Sequence, residues 1–214
     1  IYNYVENYTK LPRSWFKGKK ILDAGCGNGR WSYALSSLGA AVTAMDQSPR
    51  GIEETKKLCA GFPDFVTLQH DLLQPLDLEP ASFDMVWCFG VLHHTGNTFA
   101  AFQNIAPLVR AGGVIFLMLY GEPTSEEGFE EINRYVRHRR IVSSMSISER
   151  IKYCQDNFPP HAVHGMFDAI SPSINDLYRF DEVLGWLLQA GFEKIERTIP
   201  SRNLFIAAWR KKER

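Results

Sequence analysis

Short apolar runs alternate along the chain with segments whose apolar residues recur every three to four positions. The runs predict buried strands, and the periodic segments predict amphipathic helices. This alternation is typical of an α/β fold in which helices cover both faces of a doubly wound, mostly parallel sheet. The first five strands are predicted at residues 19–25 (KKILDAG), 40–46 (AAVTAMD), 65–71 (FVTLQHD), 83–90 (FDMVWCFG) and 113–120 (GVIFLMLY).

Helix signals separate these strands. A helix is predicted over residues 29–39, where Gly39 ends it. Ser48 is a good N-cap for the next helix because Pro49 follows at the first helical position, where its missing N–H costs nothing. A further helix over residues 97–109 is predicted to end before Gly112. Residues 1–16, with three tyrosines, are expected to add a helical flap.

After Gly121 the alternation stops for almost sixty residues. A helix is predicted over residues 126–142, and Ser146 with Glu149 has the spacing of a capping box that opens another helix. Residues 158–176 are interpreted as a loop, and a last helix and two strands then restore the sheet pattern. We interpret residues 122–179 as a helical insertion within one domain of residues 1–214. It is expected to form a lid, with the ligand pocket beneath it at the carboxyl ends of the strands.

Composition narrows the function classes. The 214 residues carry 24 basic and 24 acidic side chains, so the zero net charge argues against binding nucleic acid chiefly through its phosphates. The four cysteines are far apart and no histidine has zinc-ligand spacing, so we expect reduced thiols and no metal site. No apolar run approaches the roughly 20 residues of a membrane helix, and no basic-then-apolar leader is seen. A cytoplasmic protein, either a monomer or a homodimer, is expected.

A glycine-rich turn follows the first strand. The turn reads Gly25-Cys26-Gly27-Asn28-Gly29, and Arg30 stands where the dinucleotide fingerprint needs a third small residue. This departure disfavours a nicotinamide dehydrogenase, and the absence of a Walker lysine disfavours ATP phosphates. The turn therefore predicts a site for a nucleoside without phosphates.

Acidic residues end the neighbouring strands. Asp23 precedes the glycine turn, Asp46 closes the second strand and Asp71 closes the third. A carboxylate at position 46 can accept both hydroxyls of a ribose, and Asp71 can accept from an adenine amino group. Three acidic strand ends describe a site for a cationic adenosine compound, and S-adenosylmethionine is such a compound.

With these residues the chain resembles the class I S-adenosylmethionine-dependent methyltransferases, of the small-molecule type often called type 11. The motifs ILDAGCGNGR, VTAMDQS, QHDLLQPL and FDMVWCFGVLHHT match that family in order and spacing. The resemblance implies a Rossmann-like seven-stranded sheet whose last strand is antiparallel. It also implies methyl transfer from S-adenosyl-L-methionine to an oxygen, nitrogen or carbon of a small molecule, with S-adenosyl-L-homocysteine as product.

The resemblance also implies roles for individual residues. The glycine turn would pass beneath the methionine part of the cofactor. Asp23 would contact its amino group, Asp46 its ribose and Asp71 its adenine. Residues 88–90 would line the site near the sulfonium. The implied cofactor-binding residues are Asp23, Gly25, Cys26, Gly27, Gly29, Asp46, Gln47, Asp71, Leu72, Cys88, Phe89 and Gly90.

The candidate catalytic residues are His93, His164 and Asp168. A hydroxyl acceptor needs a group that takes its proton, whereas an acceptor that is already nucleophilic needs none. His93 and its neighbour His94 can equally be structural. The arginine-rich run over residues 134–140 can grip an acidic substrate or simply end a solvated helix.

Other functions stay open. The chain can be a non-catalytic subunit that binds S-adenosylmethionine and works with a partner, or an RNA or protein methyltransferase. Nucleic-acid amino methyltransferases carry an Asn-Pro-Pro-Tyr type of signature after the fourth strand, where this chain has Cys88-Phe89-Gly90-Val91. The nucleic-acid interpretation is therefore disfavoured.

Overall fold

The computed structural model describes residues 2–212, which build one seven-stranded sheet with the strand order β3-β2-β1-β4-β5-β7-β6. Strands β1 to β5 are parallel, and β7 runs antiparallel to both β5 and β6. The predicted fold class, with its antiparallel last strand, is confirmed. The strands are β1 Lys20–Ala24, β2 Ala41–Asp46, β3 Phe65–Gln69, β4 Phe83–Phe89, β5 Val109–Leu119, β6 Phe192–Arg197 and β7 Leu204–Arg210.

Helices cover both faces of the sheet. They are α1 Tyr2–Thr9, α2 Arg13–Phe16, α3 Arg30–Ser37, α4 Pro49–Leu58, α5 Thr98–Ile105, α6 Glu126–Val142, α7 Ile147–Asn157, α8 Val163–Ile170 and α9 Phe180–Gln189. The predicted N-cap of α4 is confirmed, since Ser48 Oγ accepts from the Gly51 N–H at 3.1 Å. Among the described residues no helix is both long and apolar enough to span a membrane.

The start of β5 differs from the prediction. The strand begins at Val109, so Gly112 lies inside it instead of ending the preceding helix, which stops at Ile105. The carboxylate of Asp84 on β4 pairs with the guanidinium of Arg110 at 2.5 Å. This contact between neighbouring strands holds the early part of β5 in the sheet, which local turn signals do not reveal.

Each face of the sheet has its own apolar core. Helices α5 and α9 cover one face, where Phe102 and Leu187 are fully buried. On the other face α1 and α3 pack over Trp87 and Phe116. The predicted N-terminal helical flap is present as α1, and its Val5 side chain is fully buried. Burying such a side chain stabilises the fold by about 1.5–3 kcal/mol, so α1 is part of the core.

Helices α6, α7 and α8 form the predicted insertion between β5 and α9, which we call the lid (residues 122–179). Ser146 and Glu149 make both hydrogen bonds of the predicted capping box. The predicted loop over residues 158–176 is wrong across Val163–Ile170, which is helical. Its apolar residues have helical spacing, and Ile170 packs with Val142 and Cys154 in a small core of the lid. Pro159 and Pro160 come shortly before this helix, and they made its helical spacing hard to recognise in the sequence.

Candidate functional site

The carboxyl ends of β1 to β5 meet at one edge of the sheet. Since these strands are parallel, the glycine turn after β1 lies between Asp46 at the end of β2 and Phe89 at the end of β4. Asp71 follows β3, and Tyr120 follows β5. Open α/β sheets bind ligands at such an edge, where the strand order reverses. The predicted strand-end residues are therefore gathered in one place.

The glycine turn is hydrogen-bonded to β2 on one side and borders open space on the other. The N–H groups of Gly25 and Cys26 donate to the carbonyl of Met45 at 2.7 and 2.9 Å. A Cβ on Gly25 would lie 2.4 Å from Val91, so that position has no room for a side chain. Gly27 is exposed with φ +54°, and a Cβ there would meet nothing within 4 Å. The backbone of Gly27 thus borders free space at the edge of the sheet.

Asp46 is hydrogen-bonded to the glycine turn. Its Oδ2 accepts from the Gly27 N–H, and its Oδ1 accepts from the Ser48 N–H, both at 2.8 Å. Each carboxylate oxygen keeps a further lone pair, and the side chain is half-buried. Thr55 on α4 completes the arrangement, because its buried hydroxyl donates to the carbonyl of Gly27 at 2.9 Å. Sequence reasoning missed Thr55, whose only signal is a lone threonine on the inner face of a charged helix.

Asp23 is buried beneath the turn. Its side chain is 1% exposed, and its Oδ2 accepts from the Ser32 hydroxyl of α3 at 2.6 Å. Burial raises the pKa of Asp23 to about 7, and the negative charge of Asp46 acts in the same direction. A cation at this edge would favour the ionised form of Asp23, because an opposite charge stabilises a carboxylate.

The other predicted binding residues surround the same edge. Asp71 Oδ1 accepts from the Leu73 N–H at 2.9 Å, while Leu72 is buried and Gln47 is exposed. This places the loop after β3 beside the end of β2, where His70 donates its N–H to the carbonyl of Asp46 at 2.9 Å.

The end of β4 lies on the opposite side of the glycine turn from Asp46. The Phe89 ring lies 4.7 Å from the Trp31 ring, and Gly90 donates its N–H to Met118 on β5 at 3.1 Å. Cys26 and Cys88 are buried, and burial raises the pKa of both thiols, that of Cys26 to about 12. Both thiols are therefore protonated at neutral pH, which leaves them packing residues and poor nucleophiles.

Residues 21–113, which carry the glycine turn and its neighbouring strand ends, match the family model of the methyltransferase domain. This segment is similar to a methyltransferase domain. Among curated proteins, the ubiquinone biosynthesis O-methyltransferase of Xanthomonas campestris pv. campestris is 33% identical over 118 residues, which are 54% of this chain and 46% of that protein. The mitochondrial enzyme of the same name from Schizosaccharomyces pombe is 44% identical over 102 residues, 44% of this chain and 37% of that protein. The chain thus spans less than half the length of these relatives.

Solved structures share the fold over more of the chain. A methyltransferase of Methanosarcina mazei, described as S-adenosylmethionine-dependent, superposes with a TM-score of 0.65 at 17% identity, covering 100% of this chain and 99% of that one. The magnesium protoporphyrin IX methyltransferase of Synechocystis with bound S-adenosylhomocysteine gives a TM-score of 0.60 at 19% identity, covering 92% and 76%. These two methyltransferases share the fold of this chain.

Two adjacent histidines, His93 and His94, follow β4. His93 is 0% exposed, and neither ring nitrogen has a hydrogen-bond partner among residues 2–212. Its ring lies 4.0 Å from that of Tyr120, and burial lowers the pKa of His93 to about 2. His94 Nδ1 lies 2.7 Å from the carbonyl oxygen of Ile174 in the lid. Because a carbonyl only accepts, Nδ1 carries the hydrogen, and Nε2 of neutral His94 has a free lone pair.

The two predicted catalytic residues of the lid lie on one face of α8. His164 Nε2 and Asp168 Oδ2 are 3.5 Å apart, and the two side chains are 65% and 53% exposed. Partial burial raises the pKa of Asp168, while His164, Arg30 and His94 act to lower it. Asp168 therefore lies within electrostatic reach of the first helix after the glycine turn and of His94.

Tyr120 and Arg139 also lie in this region, although neither was among the predicted cofactor-binding or catalytic residues. Burial raises the pKa of Tyr120, and the charges of Asp168 and Arg139 act on its hydroxyl in opposite directions. The Arg139 Nε donates to the carbonyl of Ala169 at 3.0 Å. The sequence places Arg139 in a run of four arginines, and only the packing of α6 distinguishes it from its neighbours.

Proposed function

We propose that this chain binds S-adenosylmethionine and transfers its methyl group to a small-molecule acceptor. The observation that carries the proposal is the free space above Gly27, directly beside the Asp46 carboxylate. A ligand there lies over bare backbone with one acidic group at its side, which suits a nucleoside that has no phosphate. The methyltransferase family match and the O-methyltransferase names of the relatives support the same activity.

The residues at the sheet edge fit this cofactor. Asp46 would accept from the ribose hydroxyls with its remaining lone pairs, and Asp71 with the Leu72 backbone would border the adenine. Gly25, Gly27 and Gly29 would lie beneath the methionine part, and buried Asp23 would compensate its positive charge. Gln47 would flank the adenine from the end of β2, while residues 88–90 would face the sulfonium.

S-adenosylmethionine, when bound, supplies a methyl group on a positively charged sulfur, and the neutral thioether leaves without an acid. The chain's own part is then to orient the acceptor and to exclude water. Orientation of this kind contributes about 7–11 kcal/mol in well-aligned reactions. The lid contacts the segment after β4 through the hydrogen bond between His94 and the Ile174 carbonyl, which supports this role.

We propose that His94, and not His93, takes the proton of a hydroxyl acceptor. Burial, and the lack of a hydrogen-bond partner among the described residues, make His93 a poor proton acceptor, whereas the Ile174 carbonyl fixes the His94 tautomer that leaves Nε2 free. Burial also lowers the pKa of His94 below its usual value of 6.5. His94 is then neutral, and able to accept a proton, at pH 6.5 and above.

Replacing His94 by Gln is expected to lower kcat for a hydroxyl acceptor by about 10²–10⁴-fold, the usual contribution of a general base. The affinity for S-adenosylhomocysteine, measured by calorimetry, is expected to stay the same. A panel of phenols and hydroxy acids with detection of S-adenosylhomocysteine release provides the assay. The exposed His161, changed to Gln, is the control and should keep full activity. Full activity of the His94→Gln variant would rule out this role.

His164→Ala and Asp168→Ala are expected to leave cofactor affinity nearly unchanged and to impair methyl transfer to the true acceptor. The reason is their place on α8 of the lid, where no hydrogen bond joins either side chain to the glycine turn among the described residues, and where Asp168 is within electrostatic reach of His94. Calorimetry and turnover measured on the same preparations separate the two effects. Equal losses of affinity and turnover would move both residues to the cofactor site, and full activity would leave α8 a scaffold.

We further propose a cytoplasmic protein that works as a monomer or homodimer and does not act on nucleic acid. All four cysteines are free and buried, as in proteins of reducing compartments. The zero net charge supports a small-molecule acceptor over an RNA or DNA substrate. One of the relatives is a mitochondrial enzyme, so related domains work in more than one compartment.

A further inference from the structure

A cavity of about 350 Å³ lies within the lid, between α6, the start of α7 and the segment that follows α8. Val136, Val142, Ile170 and Pro172 supply an apolar wall. Three arginines and three serines supply the polar wall; they are Arg139, Arg140, Arg150, Ser143, Ser171 and Ser173. This mixture of one apolar side and convergent polar groups is typical of a small-molecule site.

Within the described part of the chain, the three arginines have no acidic partner. Among residues 2–212 no carboxylate lies within 4.0 Å of the guanidinium of Arg139, Arg140 or Arg150. Arg150 is fixed in place, because it donates to the carbonyls of Met145 and Ser171 at 2.9 and 2.6 Å. Arg139 and Arg150 are partly buried, whereas Arg140 is exposed. Because arginines removed from water are usually paired with acids, Arg139 and Arg150 leave uncompensated positive charge at this cavity.

The opposite side of α6 carries arginines together with glutamates. Arg134 and Arg137 share a surface recess with Glu127, Glu130 and Glu131. These glutamates place negative charge near Arg134 and Arg137, although within the described residues none lies within 4.0 Å of either guanidinium. Carboxylates line the recess on this side of α6 and none of the residues lining the cavity is acidic, which indicates that the cavity side is suited to an anion from outside the chain.

We propose that the lid cavity binds an anionic group, a phosphate or a carboxylate, attached to an apolar body, and that this group belongs to the methyl acceptor. Guanidinium groups bind both anions through paired, charge-assisted hydrogen bonds. Arg139 reaches Ala169 of α8, and burial lowers the pKa of its guanidinium, as expected for a cation without a counterion. An anion in the cavity would restore the charge balance.

One edge of the cavity is next in the chain to the residue that contacts His94. Ser171 and Ser173 line the cavity, and Ile174 directly after them accepts the hydrogen bond from His94. The charge of Arg139 acts on both His94 and Tyr120. An acceptor held by its anionic group in the lid would thus extend toward the strand ends. The assignment of the group to the acceptor rests on the proposed function, whereas anion binding itself does not.

The test measures anion binding by calorimetry to the full chain at constant ionic strength, with inorganic phosphate, benzoate and the neutral analogue benzamide as probes. Arg139→Gln/Arg140→Gln is expected to weaken binding of phosphate or benzoate by at least about tenfold, since charge-assisted bonds are lost. The control Arg134→Gln/Arg137→Gln removes the same charge from the other side of α6 and should bind normally. Arg140→Gln alone alters an exposed side chain, so its smaller loss is measured without risk to the fold.

Loss confined to the cavity variants supports the site, and the probe that binds identifies the group as a phosphate or a carboxylate. Equal losses in both double variants, equal binding of benzoate and benzamide, or no binding of either anion would overturn the site. Affinity for S-adenosylhomocysteine is measured on every variant and should not change. A wild-type protein that binds anions but not S-adenosylhomocysteine would contradict the proposed methyl transfer and leave the anion site standing.

Discussion

Gly27→Val should remove measurable binding of S-adenosylhomocysteine while the protein stays folded. A Cβ at this position meets no protein atom within 4 Å, so the valine side chain would project into the space that the proposed cofactor occupies. The left-handed backbone at φ +54° adds strain of roughly 1–2 kcal/mol for a residue with a side chain. This strain is small enough for the folded state to survive. Calorimetry gives the affinity, and circular dichroism confirms the fold.

Gly18→Val is the matched control. Gly18 has φ +70° and also meets nothing within 4 Å, but it lies before β1, at the opposite end of that strand. The control therefore carries the same backbone strain without filling the site. Normal binding by the Gly18 variant and none by the Gly27 variant assign the effect to the space above the turn. Normal binding by both would mean that the cofactor lies elsewhere.

Asp46→Ala should weaken binding of S-adenosylhomocysteine by about tenfold or more, because two charge-assisted hydrogen bonds to the ribose are lost. The substitution also has a second effect, because the Asp46 carboxylate accepts hydrogen bonds from the N–H groups of Gly27 and Ser48. A ligand comparison separates the two effects. Wild-type protein should prefer 5′-methylthioadenosine over its 2′-deoxy analogue, and the Asp46→Ala variant should lose that preference.

Asp64→Ala provides the control for this experiment. Asp64 is an exposed carboxylate next to the start of β3, far along the strand from the glycine turn. It should leave both the affinity and the preference unchanged. A variant at position 46 that binds weakly but keeps the wild-type preference would show that Asp46 only orders the turn and does not contact the ribose.

The binding edge could be predicted because it follows from strand ends. Parallel strands end at the same edge, so marking where each strand ends brings Asp23, Asp46 and Asp71 to that edge without any knowledge of side-chain packing. The caps at Ser48 and Ser146 were predictable for a similar reason, since they depend on hydrogen bonds within a few residues. Local chemistry and topology determine these features.

Features that depend on distant contacts could not be predicted in the same way. His94 differs from His93 through a hydrogen bond to Ile174, eighty residues later in the chain. Arg139 differs from Arg134 because α6 turns one side toward α8 and the other toward its own glutamates. Neither distinction exists in the local sequence, where both pairs are alike, so only the packing of the lid reveals it.

A crystal structure of the chain with S-adenosylhomocysteine tests the central claim most directly. The account predicts the ribose hydroxyls on the Asp46 carboxylate, the adenine beside Asp71 and Leu72, and the sulfur facing residues 88–90 beneath the lid. Adenosine bound away from the Gly27 turn, or a ribose that does not touch Asp46, would contradict it.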